Sequence, residues 1–513
     1  MSNNRQFPIG ERPGVHNHAC GCCALSRRSF LAAATACTAA LAAGRASLAS
    51  LRDAPKSNEA IDIASFRPRP KVRVMSVIAR RKPPYWLGWP GTSYDVEGER
   101  ARYTRAIADA GTRVGVEIIQ EGQPLEDNET VAEFIRKAQD GKPDAILVML
   151  QHLQSWDMAV EIAKAGVPAI VFAPVGTAFT QHVNRLAFQP GAHVISSLET
   201  PALDQALRMV RAKRQLEATR LLVVRGNERK EEKFGLVNVQ HVPRSTFEEL
   251  FAATPVSEEA RWVARQRFRE AEKVVEPTQQ DGLNAARSYI AAKQLLKKEG
   301  CNALTTDCLG MVTQKKVPTP PCMGASIFQD NGVTYGCEAA VGPAVSLMLT
   351  SYLFDKPGFM NDPVPETVKN VLIAAHCVSG TRIYGLGRQK EHAPYILRSH
   401  AESGLGVSTQ VIWPVGQLVT LVQFFRPDAL YLDTGTVTGN VNTPPAGGCR
   451  TSVEIRMDDV EDCRDVRGFH QVVFLGNRRR DVEAFCQLHG ISVVHSPRTH
   501  EQAIKPAEEA VST

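Results

Sequence analysis

Two carboxylates and two imidazoles, spread over the second half of a 513-residue chain, stand where packing alone would not place them. Glu338, in Tyr335-Gly336-Cys337-Glu338, is the one charged residue between Asp330 and Asp355, and it heads an apolar run. The N-terminus of a helix stabilises a carboxylate, so a capping role competes with a functional one there. Asp362, in Phe359-Met360-Asn361-Asp362-Pro363, reads on its own as a turn residue, because Asp before Pro shapes turns. His470 opens an apolar strand in Arg467-Gly468-Phe469-His470-Gln471-Val472-Val473, and His376 ends another, Val371-Leu372-Ile373-Ala374-Ala375. Either histidine alone reads equally well as a satisfied core residue. Together, the four form the oxygen and imidazole donor set of an open Mn²⁺ or Mg²⁺ site rather than a zinc or copper one. Cys337 and Cys377, adjacent to two of the donors, add a softer element.

The elements that must position these residues follow from periodicity. From Val72 onward, short β-branched runs alternate with helical segments: strands at 71–78, 116–119, 145–150 and 168–172, and helices over 99–110 and 130–138. That alternation predicts a parallel sheet covered on both faces. A second unit of the same kind has a helix to about Lys213, a strand at 220–224, helices over 258–271 and 285–298, and a strand at 303–306. It closes with the uncharged run 339–354, which is too short for a membrane span of about 20 residues and reads as a buried helix. After Asp355 the texture turns Pro- and Gly-rich, with β runs at 370–377, 407–413, 418–425 and 451–455, a helix near 480–488 and a last strand at 491–494. The expected fold is therefore α/β: two consecutive Rossmann-like parallel-sheet domains, 71–195 and 196–355, followed by a β-rich C-terminal domain, 356–496, and a loose polar tail, 497–513.

The first fifty residues read as a removable export signal followed by a linker over 51–70. A polar start carries Arg5, Arg12, Arg27 and Arg28, an apolar stretch runs from Phe30 to Ala43, and small residues close it at Ser47-Leu48-Ala49. Ser26-Arg27-Arg28-Ser29-Phe30-Leu31 resembles the twin-arginine consensus, so the expected partner during export is the twin-arginine translocase and the expected destination is the periplasm, reached already folded. Cys37 as a lipid-anchored residue is a minor alternative. His16, His18, Cys20, Cys22 and Cys23 look like a metal motif but fall within the leader. The leader holds five of the 60 lysines and arginines and one of the 54 acids, which leaves a net charge of only +2 on the remainder and gives no indication of nucleic-acid binding. Of 12 cysteines, eight follow the leader without any Cys-x-x-Cys pair, and they read as buried thiols.

Most of the chain after Val72 resembles the L-fucose isomerase and L-arabinose isomerase superfamily. The resemblance rests on Gly336-Cys337-Glu338, on Phe359-Met360-Asn361-Asp362-Pro363 followed by Ala375-His376-Cys377, on Gly416-Gln417-Leu418-Val419-Thr420-Leu421, and on Phe469-His470-Gln471-Val472-Val473 ahead of Gly490-Ile491-Ser492-Val493-Val494. It implies a metal, usually Mn²⁺, held by Glu338, Asp362 and His470 with His376 as a fourth ligand. It also implies that Glu338 and Asp362 move a proton between C1 and C2 of a sugar through an enediol, and that the chain forms homo-oligomers. One position departs: the family often has an acid two residues after the first glutamate, where this chain has Ala340. Asp307, at the end of a strand where open α/β sheets present ligands, would compensate or would simply cap the next turn. Two alternatives remain: an exported sugar-binding protein, since two α/β lobes around a cleft also describe periplasmic binding proteins, and an isomerase-fold protein without catalysis.

Overall fold

Alternating short strands and amphipathic helices build the first sheet. In the computed structural model, which describes residues 60–82, 90–387, 391–441 and 448–504, β1 (Arg73–Ala79), β2 (Glu117–Gln120), β3 (Ala145–Leu150), β4 (Ala169–Ala173) and β5 (Ala192–Ser196) run parallel in the order β2-β1-β3-β4-β5. Every residue of β3 is buried, as a strand covered on both faces requires. Successive side chains of β1 point to opposite faces. Met75 and Val77 join one apolar cluster with Phe134 and Trp156, while Val74 and Ile78 join the larger cluster that continues through the following elements. The helix Val96–Val114 turns Tyr103, Ile107, Ala110 and Val114 inward. Asp95 caps its start and Gly115, at φ 75°, ends it. The leader with Cys37, the beginning of the linker and the end of the tail lie outside the described residues. Within the described part of the linker a turn at Ile63–Phe66 is anchored by the buried Ile63 and Phe66, and within the tail His500–Ile504 is helical.

The second sheet contains β6 (Arg220–Val224), β7 (Lys230–Phe234), β8 (Val237–Val242), and, after the two-residue β9 (Lys273–Val274), β10 (Ala303–Thr306) and β11 (Tyr335–Cys337). Its order is β11-β10-β6-β8-β7. It is parallel except at β7, which pairs antiparallel with β8 and protects the sheet edge with the exposed Lys230-Glu231-Glu232-Lys233. The helix Val341–Phe354 follows, buried along most of its length, as the uncharged run predicts. Among the described residues no helix is long and apolar enough to cross a membrane.

The remaining chain forms a closed barrel with attachments: β12 (Phe359–Glu366), β13 (Val371–His376), β14 (Tyr395–Arg398), β15 (Ser408–Val411), β16 (Leu418–Arg426), β17 (Ala429–Asn440), β18 (Thr451–Met457), β19 (Gln471–Leu475) and β20 (Ser492–Val494). The order β16-β19-β12-β13-β18-β17 is closed by pairing of β16 with β17, all antiparallel, and β20 adds parallel to β17. Closure removes the free strand edges that an open sheet of this composition would expose. β14 and β15 form a small separate sheet with β9. Asp362-Pro363 is not a turn: both residues lie inside β12, opposite Ala375 and Ala374 of β13. Proline is tolerated there because β12 pairs with β19 only as far as Asn361, so past that point it is hydrogen-bonded to β13 alone.

Candidate metal centre

Glu338 is placed by the end of a parallel strand. β11 stops at Cys337, and the next two residues both take the left-handed backbone, Glu338 at φ 57° and Ala339 at φ 54°. The turn is fixed by Ala339 N–H donating to Thr306 O (3.0 Å) and Ala340 N–H to Cys337 O (3.2 Å). Two successive non-glycine residues in this region cost about 1–3 kcal/mol each, and such strain gathers at functional sites. Glu338 does not cap the following helix; Ala340 stands at the cap, without a side-chain bond. The helix is held against the barrel by Phe424 N–H donating to Ser346 Oγ (2.8 Å) and by Gly342, where a Cβ would lie 2.1 Å from the Phe424 carbonyl oxygen. Only glycine permits that approach, and it sets the distance from Glu338 to the barrel.

The barrel supplies the other three groups. Asp362 of β12 lies beside His376 at the end of β13, and the pairing of Asn361 with Gln471 brings His470, one residue before β19, level with Asp362. His470 Nε2 is 3.1 Å from Asp362 Oδ1 and 3.2 Å from Glu338 Oε2, while His376 Nε2 is 3.6 Å from Glu338 Oε1. One donor atom each from Glu338, His376 and His470 falls within a 4.8 Å group. Sequence reasoning missed what holds His470. Its backbone, at φ 60°, is clamped by Gln423: Phe469 N–H donates to Gln423 Oε1 (2.9 Å), and the Gln423 amide donates to Phe469 O. Gly468, at φ 101°, admits this clamp, since a Cβ there would lie 2.2 Å from Gln423 Oε1. Asn361 adds a bond to Gln471 O (2.9 Å). A buried Gln inside the otherwise apolar run Leu418–Phe425 was the available signal.

The electrostatics agree with a cation site. His376 and then His470 hold the Glu338 carboxyl far below the usual carboxylate range. Burial alone would lower both imidazoles, but Glu338 and Asp362 outweigh it: His376 is raised, and His470 rises to about 9. These contacts lack hydrogen-bond angles. Both ring nitrogens of His376, Nε2 of His470 and Oδ1 of Asp362 are buried without a hydrogen-bond partner. Leaving such atoms unsatisfied is costly, and a divalent cation accepting one lone pair from each side chain would remove most of that cost, the second ring nitrogen of His376 lying out of reach of the same ion. Carboxylate and imidazole donors together suit a divalent cation.

Asp307 does not join the group. Its carboxylate accepts from Gly310 N–H (3.0 Å), capping the helix Cys308–Thr313, and pairs with Arg244 (3.0 Å). None of the eight cysteines after the leader is in a disulfide, and all are buried except the half-buried Cys449.

Fold and site together define a mixed α/β protein with a closed antiparallel barrel, at which Glu338, His376 and His470 form a cluster able to hold a metal ion. No family model matches the chain, and no curated protein matches it by sequence. Solved structures with partial likeness include a carbohydrate transporter from Acidothermus cellulolyticus 11B in complex with myo-inositol (11% identity, 51% of this chain and 86% of that one, TM-score 0.17). Others are a sugar-binding protein of a sugar ABC transporter from Bacillus halodurans (14%, 55% and 86%, TM-score 0.16) and a XylFII molecule (13%, 52% and 97%, TM-score 0.16). Likeness at these TM-scores defines neither fold nor function for this chain.

Proposed function

We propose that this chain is a divalent-metal-dependent aldose-ketose isomerase of the L-fucose and L-arabinose isomerase type, exported by the twin-arginine route. The observation that carries this reading is the convergence of Glu338, Asp362, His376 and His470, with four polar atoms buried and unpaired. A bound Mn²⁺ or Mg²⁺ would supply Lewis acidity toward the sugar's carbonyl and neighbouring hydroxyl oxygens. His376 and His470 would serve as neutral donors held by the barrel. A carboxylate oxygen of Glu338 or Asp362 takes the proton from C2, and the other acid returns one at C1, which gives the enediol its route to product. Phe469, largely exposed and tilted by 32° against His470 at 4.3 Å between ring centres, offers an apolar face against which sugar C–H groups pack. Ala340 at the helix cap, with Asp307 engaged elsewhere, leaves the family's additional acid unreplaced and points to a different sugar.

Metal analysis of the native protein, combined with a screen of aldoses for exchange of the C2 proton with solvent, tests the proposal. A protein without Mn²⁺, Mg²⁺ or a similar ion, and unaffected by Glu338→Gln, would end it. The second reading is an exported sugar-binding protein, because two α/β units, here built on two five-stranded sheets, also describe periplasmic binding proteins. It is separated by chelation, because a plain binder keeps its sugar after metal is removed. Replacing Arg27 and Arg28 with lysine should retain the chain in the cytoplasm if the export route is correct.

A further inference from the structure

A second chemistry lies beside the proposed metal centre. Cys377 directly follows His376, and its thiol is in hydrogen-bonding contact with that of Cys449 and with the His400 ring. The β13–β18 ladder places His376 opposite Thr451, and a bend at Arg450 carries Cys449 off the ladder toward Cys377. His400 is oriented from behind, its Nδ1 lying 3.0 Å from Ser403 Oγ. Cys377 is buried and Cys449 only half so, which leaves the Cys449 side of the pair the more open to solvent. A similar contact joins Cys308 and Cys337, but there both thiols are buried.

We propose that Cys377 and Cys449 form a dithiol site that closes to a disulfide in an oxidising compartment and loosens the metal centre through His376. The first half stands without the metal reading; the second rests on it. The oxidant is an external disulfide, either a small molecule or a disulfide-donating protein. Cys449 attacks it, forming a mixed disulfide and releasing one thiol, and the Cys377 sulfur then attacks the Cys449 sulfur and expels the second. Two electrons and two protons pass from the protein thiols to the external disulfide, which leaves as two thiols. Bonded sulfurs sit about 2.05 Å apart, so two sulfurs now in non-bonded contact must close by more than about 1 Å. Because His376 directly precedes Cys377, that movement at the end of β13 shifts its ring relative to Glu338, now 3.6 Å away. Cys308 and Cys337 lack an entry path and stay reduced.

The full chain, purified under reducing anaerobic conditions, is divided and one half is exposed to oxidised glutathione. Free thiols are alkylated, peptides are mapped by mass, and Mn²⁺ affinity is measured on both halves. The expected result is a cross-link between the Cys377 and Cys449 peptides, alkylated Cys308 and Cys337, and Mn²⁺ binding weakened about tenfold, the scale on which displaced supporting contacts act. Cys449→Ser should bind Mn²⁺ as the reduced protein does and ignore the oxidant. Alkylation of both Cys377 and Cys449 after oxidation, or a cross-link through Cys308 and Cys337 instead, overturns the dithiol assignment. A Cys377–Cys449 disulfide with unchanged Mn²⁺ affinity overturns the coupling. A chain that binds no Mn²⁺ in either state removes the metal reading, and the cross-link map then decides the dithiol site alone.

Discussion

Raising the pH should tighten Mn²⁺ binding steeply, because the cation must displace protons that the empty cluster holds. Two carboxylates around His470 raise it to about 9, so in metal-free protein at pH 7 only about one molecule in 100 has this imidazole neutral and able to ligate. Ligation needs the neutral ring, so His470 alone weakens apparent affinity about 100-fold at pH 7 relative to pH above 9, or about 2.7 kcal/mol. His376 is raised by the same carboxylates and steepens the dependence further. Between pH 6.5 and 8.5 the apparent affinity should rise at least about tenfold per pH unit, then level off above the His470 value. Calorimetric titration with Mn²⁺ in two buffers of different ionisation enthalpy counts the released protons, and between one and two per metal is expected at pH 7. Glu338→Gln removes both a ligand and the main counter-charge, so binding should fall and the remaining proton release shrink. Mn²⁺ affinity that is flat from pH 7 to 9, with no proton release, would refute the assignment of His470 as a ligand.

The same group gives the metal-free protein a stability trend of opposite direction. A histidine raised on folding contributes fully below its unfolded value near 6.5 and loses that contribution as pH climbs through about 9, so thermal midpoints without metal should fall across this window. Solvent screening limits the loss to about 1–2 kcal/mol, and saturating Mn²⁺ should flatten it. Gly468→Ala forces a Cβ to within 2.2 Å of Gln423 Oε1 at φ 101°, which should cost about 1–3 kcal/mol in unfolding free energy and weaken metal binding by releasing the loop that holds His470. Asp330→Ala strands the buried Arg267, now paired at 2.9 Å, and removes the acceptor for Thr381 and Arg382 N–H groups. Denaturant unfolding should show a loss of about 3–5 kcal/mol, with Mn²⁺ affinity of the folded fraction unchanged.

Much of the architecture was legible because period and length carry it. The fully apolar Ala145–Leu150 and the apolar run that His376 ends, Val371–His376, read as the strands they are, and the uncharged 339–354 stretch read as a buried helix. Local chemistry misled where tertiary pairing won. Asp362-Pro363 has the composition of a turn, yet antiparallel pairing with β19 up to Asn361 and with β13 from Asp362 onward holds the segment extended. The polar strand β7 carries no apolar pattern to read, and its partner β8 decides its conformation. Ring closure was equally invisible: β16 and β17 form a local hairpin across Pro427-Asp428, but the barrel closes only because the distant β19 pairs with both β16 and β12.

The sequence by itself determined the donor types. Glu338, Asp362, His376 and His470 are singled out by charge or imidazole inside apolar surroundings, an anomaly visible without coordinates. The tertiary structure alone decided that His470 stands 3.1 Å from Asp362 across 108 residues of chain, that Asp307 turns to a helix cap instead, and that Cys377 meets Cys449. The reason is geometric: a side chain's type is local, but its distance from another depends on strand register and on two left-handed backbone turns, at Glu338 and His470. Those turns are imposed by the packing around them, through Gln423, Gly468 and the Thr306 carbonyl, rather than by any preference of glutamate or histidine.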